Sequence, residues 1–187
     1  MAAVGLKNIH VAKYTETGEV ITYEAPRKIA EAITANITPN VESAVLYGDD
    51  RAVESDETLG DIDVEINVTD LSAEDYAFLL GATVDSNGGV TDSVDNVAPY
   101  VALGFEVPLT RGRKRMYWYY KGKFSIPSSE HTTKQGTTEY QTPTISAKFL
   151  PRADGKWRYR LDSNETNSSV IDAWFQNVQE APTVPTP

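Results

Sequence analysis

The strongest constraint on the fold is a strict alternation of apolar and polar residues between Leu59 and Leu71. The apolar members are Ile62, Val64, Ile66 and Val68, and the polar members are Asp61, Asp63, Glu65 and Asn67. Successive side chains of a β-strand point to opposite faces of its sheet, so the two sets lie on different faces. The pattern predicts a strand with one face in an apolar core and the other in water.

Other segments are rich in β-branched and aromatic residues, which favours further strands. They are Pro99–Val107, Arg115–Ile126, Glu139–Leu150 and Lys156–Leu161. Turn residues at Ser86–Gly89, within Val84–Val94, predict a hairpin, and Ala153–Gly155 predicts another between the last two segments. Lys28–Thr38 fits a strand less well, because its isoleucines recur every four residues as on a helix. Gly48–Thr58 and Ser128–Thr138 are polar, and we expect long loops there.

Two segments have helical patterns. In Leu71–Gly81, Ser72 is a good N-cap, acidic residues follow in the first turn, and Gly81 is a natural end. The second helix is expected over Ser168–Gln179, with an apolar stripe that packs on a sheet. The stripe consists of Val170, Ile171, Trp174, Phe175 and Val178.

The chain has 187 residues, a size that fits one domain, which we place at residues 1–180. Residues 181–187 are rich in proline and threonine and are expected to be a flexible tail. No run of about 18 apolar residues exists, so we expect no membrane insertion. The sequence lacks cysteine, which excludes disulfides and thiol catalysis, and its two histidines exclude histidine-rich metal sites. These features predict a mainly β protein with two short helices and no cofactor.

Charge is unevenly distributed along the chain, whose net charge is −10. Residues 1–100 hold 5 basic and 19 acidic side chains, whereas the remainder holds 12 basic and 8 acidic ones. Such asymmetry fits either a polar self-association surface or uneven decoration of a solvated surface. A strongly acidic protein binds free DNA poorly, because the phosphates repel it.

Two groups of acidic residues are candidate chemical sites. The acidic strand face could supply one carboxylate of a glycosidase, but the partner carboxylate on an opposite wall is not evident. A solvated surface or channel lining explains Asp61, Asp63 and Glu65 better. The acidic stretch Asp49–Glu57 could bind calcium, although a solvated loop is the simpler interpretation. We therefore predict neither a catalytic residue nor a metal site.

Basic residues occur beside aromatic ones in two places, Arg111–Tyr120 and Lys156–Arg160. This interleaving is found in proteins that bind single-stranded nucleic acid. Alternation along a strand, with the aromatic rings in the core, explains it without a ligand. The basic cluster Arg111–Arg115 is better interpreted as a turn that contacts an acidic neighbour.

Taken in order, several segments resemble the major tail protein family of long-tailed, siphovirus-type bacteriophages, whose members build the tail tube. The matching segments span roughly residues 4–178. They are Val4–Ala12, Ile33–Asn40, Leu46–Asp50, Leu59–Ile66, Val97–Phe105, Tyr117–Phe124, Tyr140–Phe149, Asp154–Trp157 and Val170–Phe175. The proline-threonine tail has no counterpart in this resemblance.

The resemblance implies a β-sandwich or split barrel with one or two short flanking α-helices. It also implies a structural virion protein, not an enzyme, of which six copies form a ring and rings stack into a tube. The tube would surround a tape-measure protein, meet tail terminator and distal tail proteins, and conduct double-stranded DNA without binding it specifically. Such a protein would be synthesised and assembled in the cytoplasm of the bacterial host.

Within that frame, we expect Asp61, Asp63 and Glu65 to face the lumen, where negative charge would repel DNA phosphates. Charged loops are expected to contact neighbouring subunits or rings. The candidates are Asp49, Asp50, Arg51, Glu54, Asp56, Glu57, Arg111, Arg113, Lys114 and Arg115.

Three other functions remain open at this level. The first is a carbohydrate-binding or adhesive β-sandwich, in which Tyr117–Tyr120 would offer exposed stacking faces to sugars. The second is a glycoside hydrolase that uses the acidic strand. The third is the tube protein of a related secretion or contractile apparatus.

Overall fold

The computed structural model of the chain describes residues 2–48, 51–128 and 142–182, with the backbone alone for 45–48 and 51–54. In this part of the chain there are eleven strands, two short α-helices and a 3₁₀ turn at Thr110–Gly112. The strands are β1 Lys7–Thr17, β2 Val20–Tyr23, β3 Arg27–Lys28, β4 Ala32–Gly48, β5 Arg51–Val68, β6 Thr83–Val84, β7 Val90–Thr91, β8 Val101–Pro108, β9 Lys114–Phe124, β10 Thr144–Phe149 and β11 Arg158–Asp162. The helices are α1 Ala73–Leu80 and α2 Ser168–Asp172. The predicted mainly β class with two short helices is confirmed.

Nine strands form one antiparallel sheet, whose main order is β2-β1-β8-β9-β10-β5-β4. β3 also pairs with β1, next to β2, and β11 also pairs with β9, next to β10. Only residues 29–31 separate β3 from β4, although the two strands stand at opposite ends of the sheet order. The sheet must therefore curl until its two ends approach each other. β6 and β7 form a separate hairpin around the predicted Ser86–Gly89 turn.

The inner face of the curled sheet carries the main core. Ile62, Val64 and Ile66 of β5 are buried there, as their alternation predicts. They pack with apolar residues of β1, β8, β9 and β10 and with Leu79 and Leu80 of α1. Burial of each such side chain contributes about 1.5–3 kcal/mol of stability.

Helix α1 begins and ends where the sequence predicts. The Ser72 hydroxyl accepts a hydrogen bond from the Asp75 N–H, and Gly81 ends the helix with φ +71°. A Cβ on Gly81 would lie 2.4 Å from the carbonyl oxygen of Val97, so glycine is required there for space as well as for conformation. Helix α1 packs on the inner face, against the apolar residues of β5. The polar residues of β5 alternate with these and therefore lie on the outer face.

A second apolar cluster lies on the outer face. Trp118 of β9 is fully buried and lies over Gly104 of β8, its register partner, which has no side chain to obstruct the ring. Ile171 and Trp174 cover it from the C-terminal segment, which we define as residues 163–182. One sheet thus carries apolar contacts on both faces.

The predicted hairpin across Ala153–Gly155 is wrong. Strands β10 and β11 do not pair with each other but both pair with the same edge of β9. Phe149 lies opposite Gly122 and Arg158 lies opposite Tyr119, so the two strands continue one line interrupted by residues 150–157. A tight turn closes this excursion through a hydrogen bond from the Arg152 N–H to the Lys156 carbonyl. The turn residues predicted the turn correctly, but not which strands would pair.

The predicted loop at Gly48–Thr58 is also wrong, because its residues from Arg51 onward belong to β5 and pair with β4. The described side chains at 55–58 are exposed, so apolar alternation, the signal used to find strands, is missing there. Residues 32–38 of the ambiguous Lys28–Thr38 segment are strand rather than helix. Most of the predicted Ser128–Thr138 loop and residues 183–187 of the predicted tail lie outside the described residues.

The second helix is shorter than predicted. It ends at Asp172 instead of Gln179, and the chain continues in turns. The carbonyl of Trp174, which would accept the Val178 N–H in a longer helix, accepts the indole N–H of Trp118 at 3.3 Å. Contact with the sheet therefore replaces a helical hydrogen bond.

Candidate inter-subunit surfaces

The first candidate surface is the acidic strip, Asp61, Asp63 and Glu65, on the outer face of β5. Its register partners in β10 place Lys148 opposite Asp63 and Ser146 opposite Glu65. With Asn36 and Thr38 of β4 and Ser125, these side chains line a shallow groove of about 340 Å³. The groove lining thus combines carboxylates, hydroxyls, an amide and one amine with Val64 and Ala147.

Lys148 partly neutralises the acidic strip. Its Nζ lies 2.5 Å from Asp61 and 3.2 Å from Asp63, and the Asn40 side-chain amide donates to both carboxylates at 2.8 Å. The hydrogen bond from Lys148, followed by that from Asn40, lowers the pKa of Asp61. The same ion pairs raise the pKa of Lys148. Glu65 lies one step away, between Asn36 and Ser146.

The Asp61 carboxylate is unsuited to the general-acid role in glycoside hydrolysis. A general acid needs a raised pKa, whereas the pKa of Asp61 is lowered. Within residues 2–48, 51–128 and 142–182, no group of three or more acidic or histidine residues is placed to hold a metal ion.

The second candidate surface is the outer part of the β4–β5 hairpin, residues 41–59, which we call the arm. Among the residues that the structure describes, β10 pairs with β5 only from Ile62 onward, and beyond that point β4 and β5 pair with each other. Glu42, Ser43 and Ala44 on one strand and residues 55–58 on the other are exposed on both faces. At about 3.4 Å per residue, the arm extends roughly 25 Å from the sheet.

Exposed side chains of the arm are mostly polar or acidic. Glu42, Asp56 and Glu57 are exposed carboxylates. Of the other predicted contact residues, Asp49 and Asp50 lie outside the described residues, and the side chains of Arg51 and Glu54 are likewise not described. A two-stranded hairpin that is exposed on both faces is only marginally stable in water.

The third candidate surface is the basic turn, residues 110–115. Arg111 adopts a left-handed conformation with φ +67°, and the Leu109 N–H donates to the Arg113 carbonyl at 2.7 Å. Arg111 and Arg113 are exposed. The Nζ of Lys114 lies 3.7 Å from the Oε1 of the buried Glu106.

Arg115 differs from the rest of the basic turn, because its guanidinium already has a partner in the same chain. It makes two hydrogen bonds to Asp162, at 2.6 and 2.8 Å. These bonds raise the pKa of Arg115 and lower that of Asp162. Arg111 and Arg113 are therefore the exposed arginines of the basic turn, whereas Arg115 ties β9 to β11.

The C-terminal segment covers the outer apolar cluster. Ile171 and Trp174 are buried, Phe175 and Val178 are partly buried against the cluster, and Val170 is exposed. The Phe175 ring stacks on His10 of β1 at 4.0 Å between ring centroids. Burial lowers the pKa of His10, so the ring stays neutral at physiological pH.

Arg152 anchors the end of this segment, and sequence reasoning missed it. Its guanidinium is buried, pairs with Asp154 at 2.6 Å and Glu180 at 2.5 Å, and donates to the Tyr23 hydroxyl at 3.1 Å. The group also lies 4.4 Å from the Tyr120 ring centroid. Burial alone would lower the pKa of Arg152, but the hydrogen bonds outweigh it and raise the pKa. In the sequence Arg152 stands in a short polar stretch, which gives no sign of burial.

The aromatic run proposed for sugar stacking is not exposed. Trp118, Tyr119 and Tyr120 are buried and Tyr117 is half-buried against Phe105. A carbohydrate-binding face made from these rings is therefore contradicted. Neither described helix is long and apolar enough to cross a membrane.

A family model described as phage tail tube protein matches residues 1–155 of the 187. This confirms the resemblance drawn from the ordered segments. No curated protein matches the chain. The matched range includes the acidic strip, the arm and the basic turn, and it ends before β11 and the C-terminal segment.

Proposed function

The chain belongs to the phage tail tube protein family, and from that premise we propose that six copies form a ring and that rings stack into a hollow tube. The family is structural, and its members self-associate in the tail of the virion. In the proposed tube, the copies enclose a tape-measure protein before DNA enters and later let double-stranded DNA pass. Tail terminator and distal tail proteins would close the two ends, and assembly would take place in the host cytoplasm.

The arm is the observation that supports this proposal most strongly. Its strands pair with each other in the part of the chain that the structure describes, and its described side chains at 42–44 and 55–58 are exposed. In a lone subunit it is a poorly supported ribbon, whereas in an assembly it can reach the next copy. A contact between two different surfaces of the same chain closes into a ring or continues as a filament, and a tube needs both.

Charge complementarity supports contact between the arm and a basic surface of another copy. The arm presents Glu42, Asp56 and Glu57, whereas Arg111, Arg113 and the exposed arginines of β11 form a basic region. Opposite charges on two patches steer encounter and disfavour wrong partners. We assign the arm and the basic turn as mutual contact surfaces.

The acidic strip is proposed to face the lumen. The groove beside it is polar, shallow and partly charge-balanced by Lys148, so neither phosphates nor a polypeptide would bind it tightly. Glu65, together with Asp63, whose charge Lys148 neutralises only in part, would still repel DNA phosphates.

Sedimentation velocity and negative-stain microscopy at rising protein concentration test whether assembly requires the acidic residues of the arm. The arm variant replaces Glu42, Asp56 and Glu57 with lysine. A matched control makes the same net-charge change elsewhere, at the exposed residues Glu19, Glu24 and Asp95. We expect the parent and the control to form rings or tubes and the arm variant to remain unassembled. Equal assembly of the arm variant and the control would contradict the proposed contact.

The lumen assignment has its own test, because the sequence contains no cysteine. Glu65→Cys introduces a single thiol on the acidic strip. In unassembled protein it should react with both a small maleimide and a maleimide carried on a bulky polymer. In tubes it should react only with the small reagent, and equal labelling by both would place the strip on the outer wall.

A further inference from the structure

We infer that Asn87 is a site of slow chemical modification, at which the side-chain amide becomes a carboxylate through a cyclic imide formed with Gly88. In this reaction the backbone nitrogen of the following residue attacks the side-chain carbonyl carbon of asparagine. A side chain on the following residue obstructs that approach, and glycine has none. This inference does not depend on the proposed tube.

Asn87 is distinguished from every other asparagine of the chain by its neighbour. The sequence has nine asparagines, and Asn87 is the one that precedes glycine. Six of the others precede isoleucine or valine, whose branched Cβ blocks the approach most strongly. These six are Asn8, Asn36, Asn40, Asn67, Asn96 and Asn177.

The local structure leaves Asn87 accessible to water. It lies at the tip of the β6–β7 hairpin, where both Asn87 and Gly88 are exposed and Gly88 has φ +83°. Each strand of this hairpin has two residues, and the pair is separate from the main sheet. Such a short hairpin opens at low energetic cost compared with strands of the core.

Asp85 holds the turn in a conformation that opposes the reaction. Its backbone carbonyl accepts the Gly88 N–H at 3.1 Å, and this is the nitrogen that must attack. Its carboxylate accepts the Asn87 N–H at 2.7 Å and the Gly89 N–H at 2.9 Å. The Gly88 nitrogen must leave its hydrogen bond and lose its proton before it attacks, so Asp85 slows the conversion.

The chemistry balances with water as the one co-reactant. A bond forms between the Gly88 nitrogen and the Asn87 side-chain carbonyl carbon, the bond from that carbon to the amide nitrogen breaks, and ammonia leaves with the proton of Gly88. Water then opens the cyclic imide at either carbonyl. The products are aspartate and isoaspartate, each with one more negative charge than Asn87, and isoaspartate also lengthens the backbone at the turn.

The test follows this conversion by peptide mapping of the purified full chain, incubated at neutral and at alkaline pH. The probes are the parent, Asn87→Gln, Asp85→Ala and, as a matched control, Asp95→Ala. Asp95 is exposed and acidic but makes none of the hydrogen bonds of the Asn87 turn. A synthetic peptide with the sequence of residues 83–91 gives the rate without the folded turn.

We expect isoaspartate to accumulate at position 87 in the parent, faster at alkaline pH and more slowly than in the peptide. Asp85→Ala should convert severalfold faster than the parent, Asp95→Ala should match the parent, and Asn87→Gln should show no conversion. Exposed Asn164 and Asn177 serve as internal references within the same samples. An amide at position 87 that survives after the peptide has fully converted, in the parent and in Asp85→Ala alike, would overturn the inference.

Discussion

At the scale of single residues, Arg152 bears on more parts of the molecule than any other charged side chain described above. It joins the turn at Asp154, Glu180 of the C-terminal segment, Tyr23 of β2 and the Tyr120 ring of β9. A buried guanidinium is tolerated because each of these partners satisfies part of its charge or its hydrogen-bonding capacity. Its loss would leave carboxylates without their partner.

Replacing Arg152 with methionine should therefore destabilise the fold strongly. Arg152 is buried, but Asp154 and Glu180 are 36% and 43% exposed and stay hydrated, so the loss should be that of charge-assisted hydrogen bonds, about 1.5–3 kcal/mol. Arg113→Met, at an exposed position of the basic turn, serves as a control, and its effect should stay within about 0.5 kcal/mol. Urea unfolding of both variants measures the difference, and equal midpoints would show that Arg152 does not anchor the segment.

A second residue-scale prediction concerns acid. Hydrogen bonds from Arg152 lower the pKa of Asp154 to about 2, from a usual value of 3.8. A carboxylate whose pKa is lower in the folded state stabilises the fold above the unfolded pKa. This contribution is lost as the pH falls from about 4 towards 2.

Denaturant unfolding as a function of pH, for the parent and for Asp154→Asn, isolates this contribution. The free-energy difference between them should be constant near neutral pH and should shrink as the pH falls below about 4. A difference that stays constant down to pH 2 would show that Asp154 titrates normally in the folded chain.

The sequence predicted the burial of residues that belong to a repeating local pattern. It did not predict contacts that depend on how two strands align. The alternation that placed Ile62 and Val64 in the core is local, so it could be read directly. The position of Lys148 opposite Asp63 depends on how β10 aligns with β5, which no local pattern encodes. The acidic strip was therefore predicted without the amine that partly neutralises it.

At the scale of elements, the arm and the interrupted strand show the same limit. Local turn residues predicted a reversal at Ala153–Gly155, yet β10 and β11 both pair with β9. Residues 48–58 of the arm were predicted as a loop because their sequence lacks apolar alternation, although residues 51–58 belong to β5. Helix α1, whose cap, acidic first turn and terminal glycine are all local, was predicted correctly.

The C-terminal segment yields an element-scale prediction. Trp174 is fully buried against the outer apolar cluster, and its indole N–H donates to the Tyr117 carbonyl. Trp174→Ala should cost about 3–5 kcal/mol, because it removes a large buried ring and leaves a cavity. Val170→Ala, an exposed position of α2, should change stability by about 0.5 kcal/mol or less.

Thermal unfolding followed by tryptophan fluorescence measures both variants, since Trp118 lies beneath the segment. Similar melting temperatures for Trp174→Ala and Val170→Ala would show that the segment contributes little to the fold. The expected outcome is a large loss for Trp174→Ala alone.

At the scale of the whole molecule, the range matched by the family model is shorter than the part of the chain that packs as one fold. The match ends at residue 155, but Trp118, which lies within it, is covered by Trp174 from outside it. The matched range therefore does not contain everything that buries its own apolar surface. A chain cut after residue 155 should aggregate, because the outer face of β9 would be uncovered.

The arrangement of charge predicts that assembly depends on ionic strength. Contacts between the acidic arm and the exposed arginines of the basic turn are screened by salt, over about 8 Å at physiological ionic strength. Assembly of the parent should therefore weaken as salt rises, measured by sedimentation velocity. An increase in assembly with salt would show that apolar contacts dominate instead.

Cryo-electron microscopy of assembled tubes gives the most direct view of how this chain builds a tail. We expect rings of six subunits, the arm of each subunit in contact with a neighbouring copy, and Asp61, Asp63 and Glu65 on the inner wall. A tube in which the arm extends into solvent without touching another copy would contradict the proposed assembly.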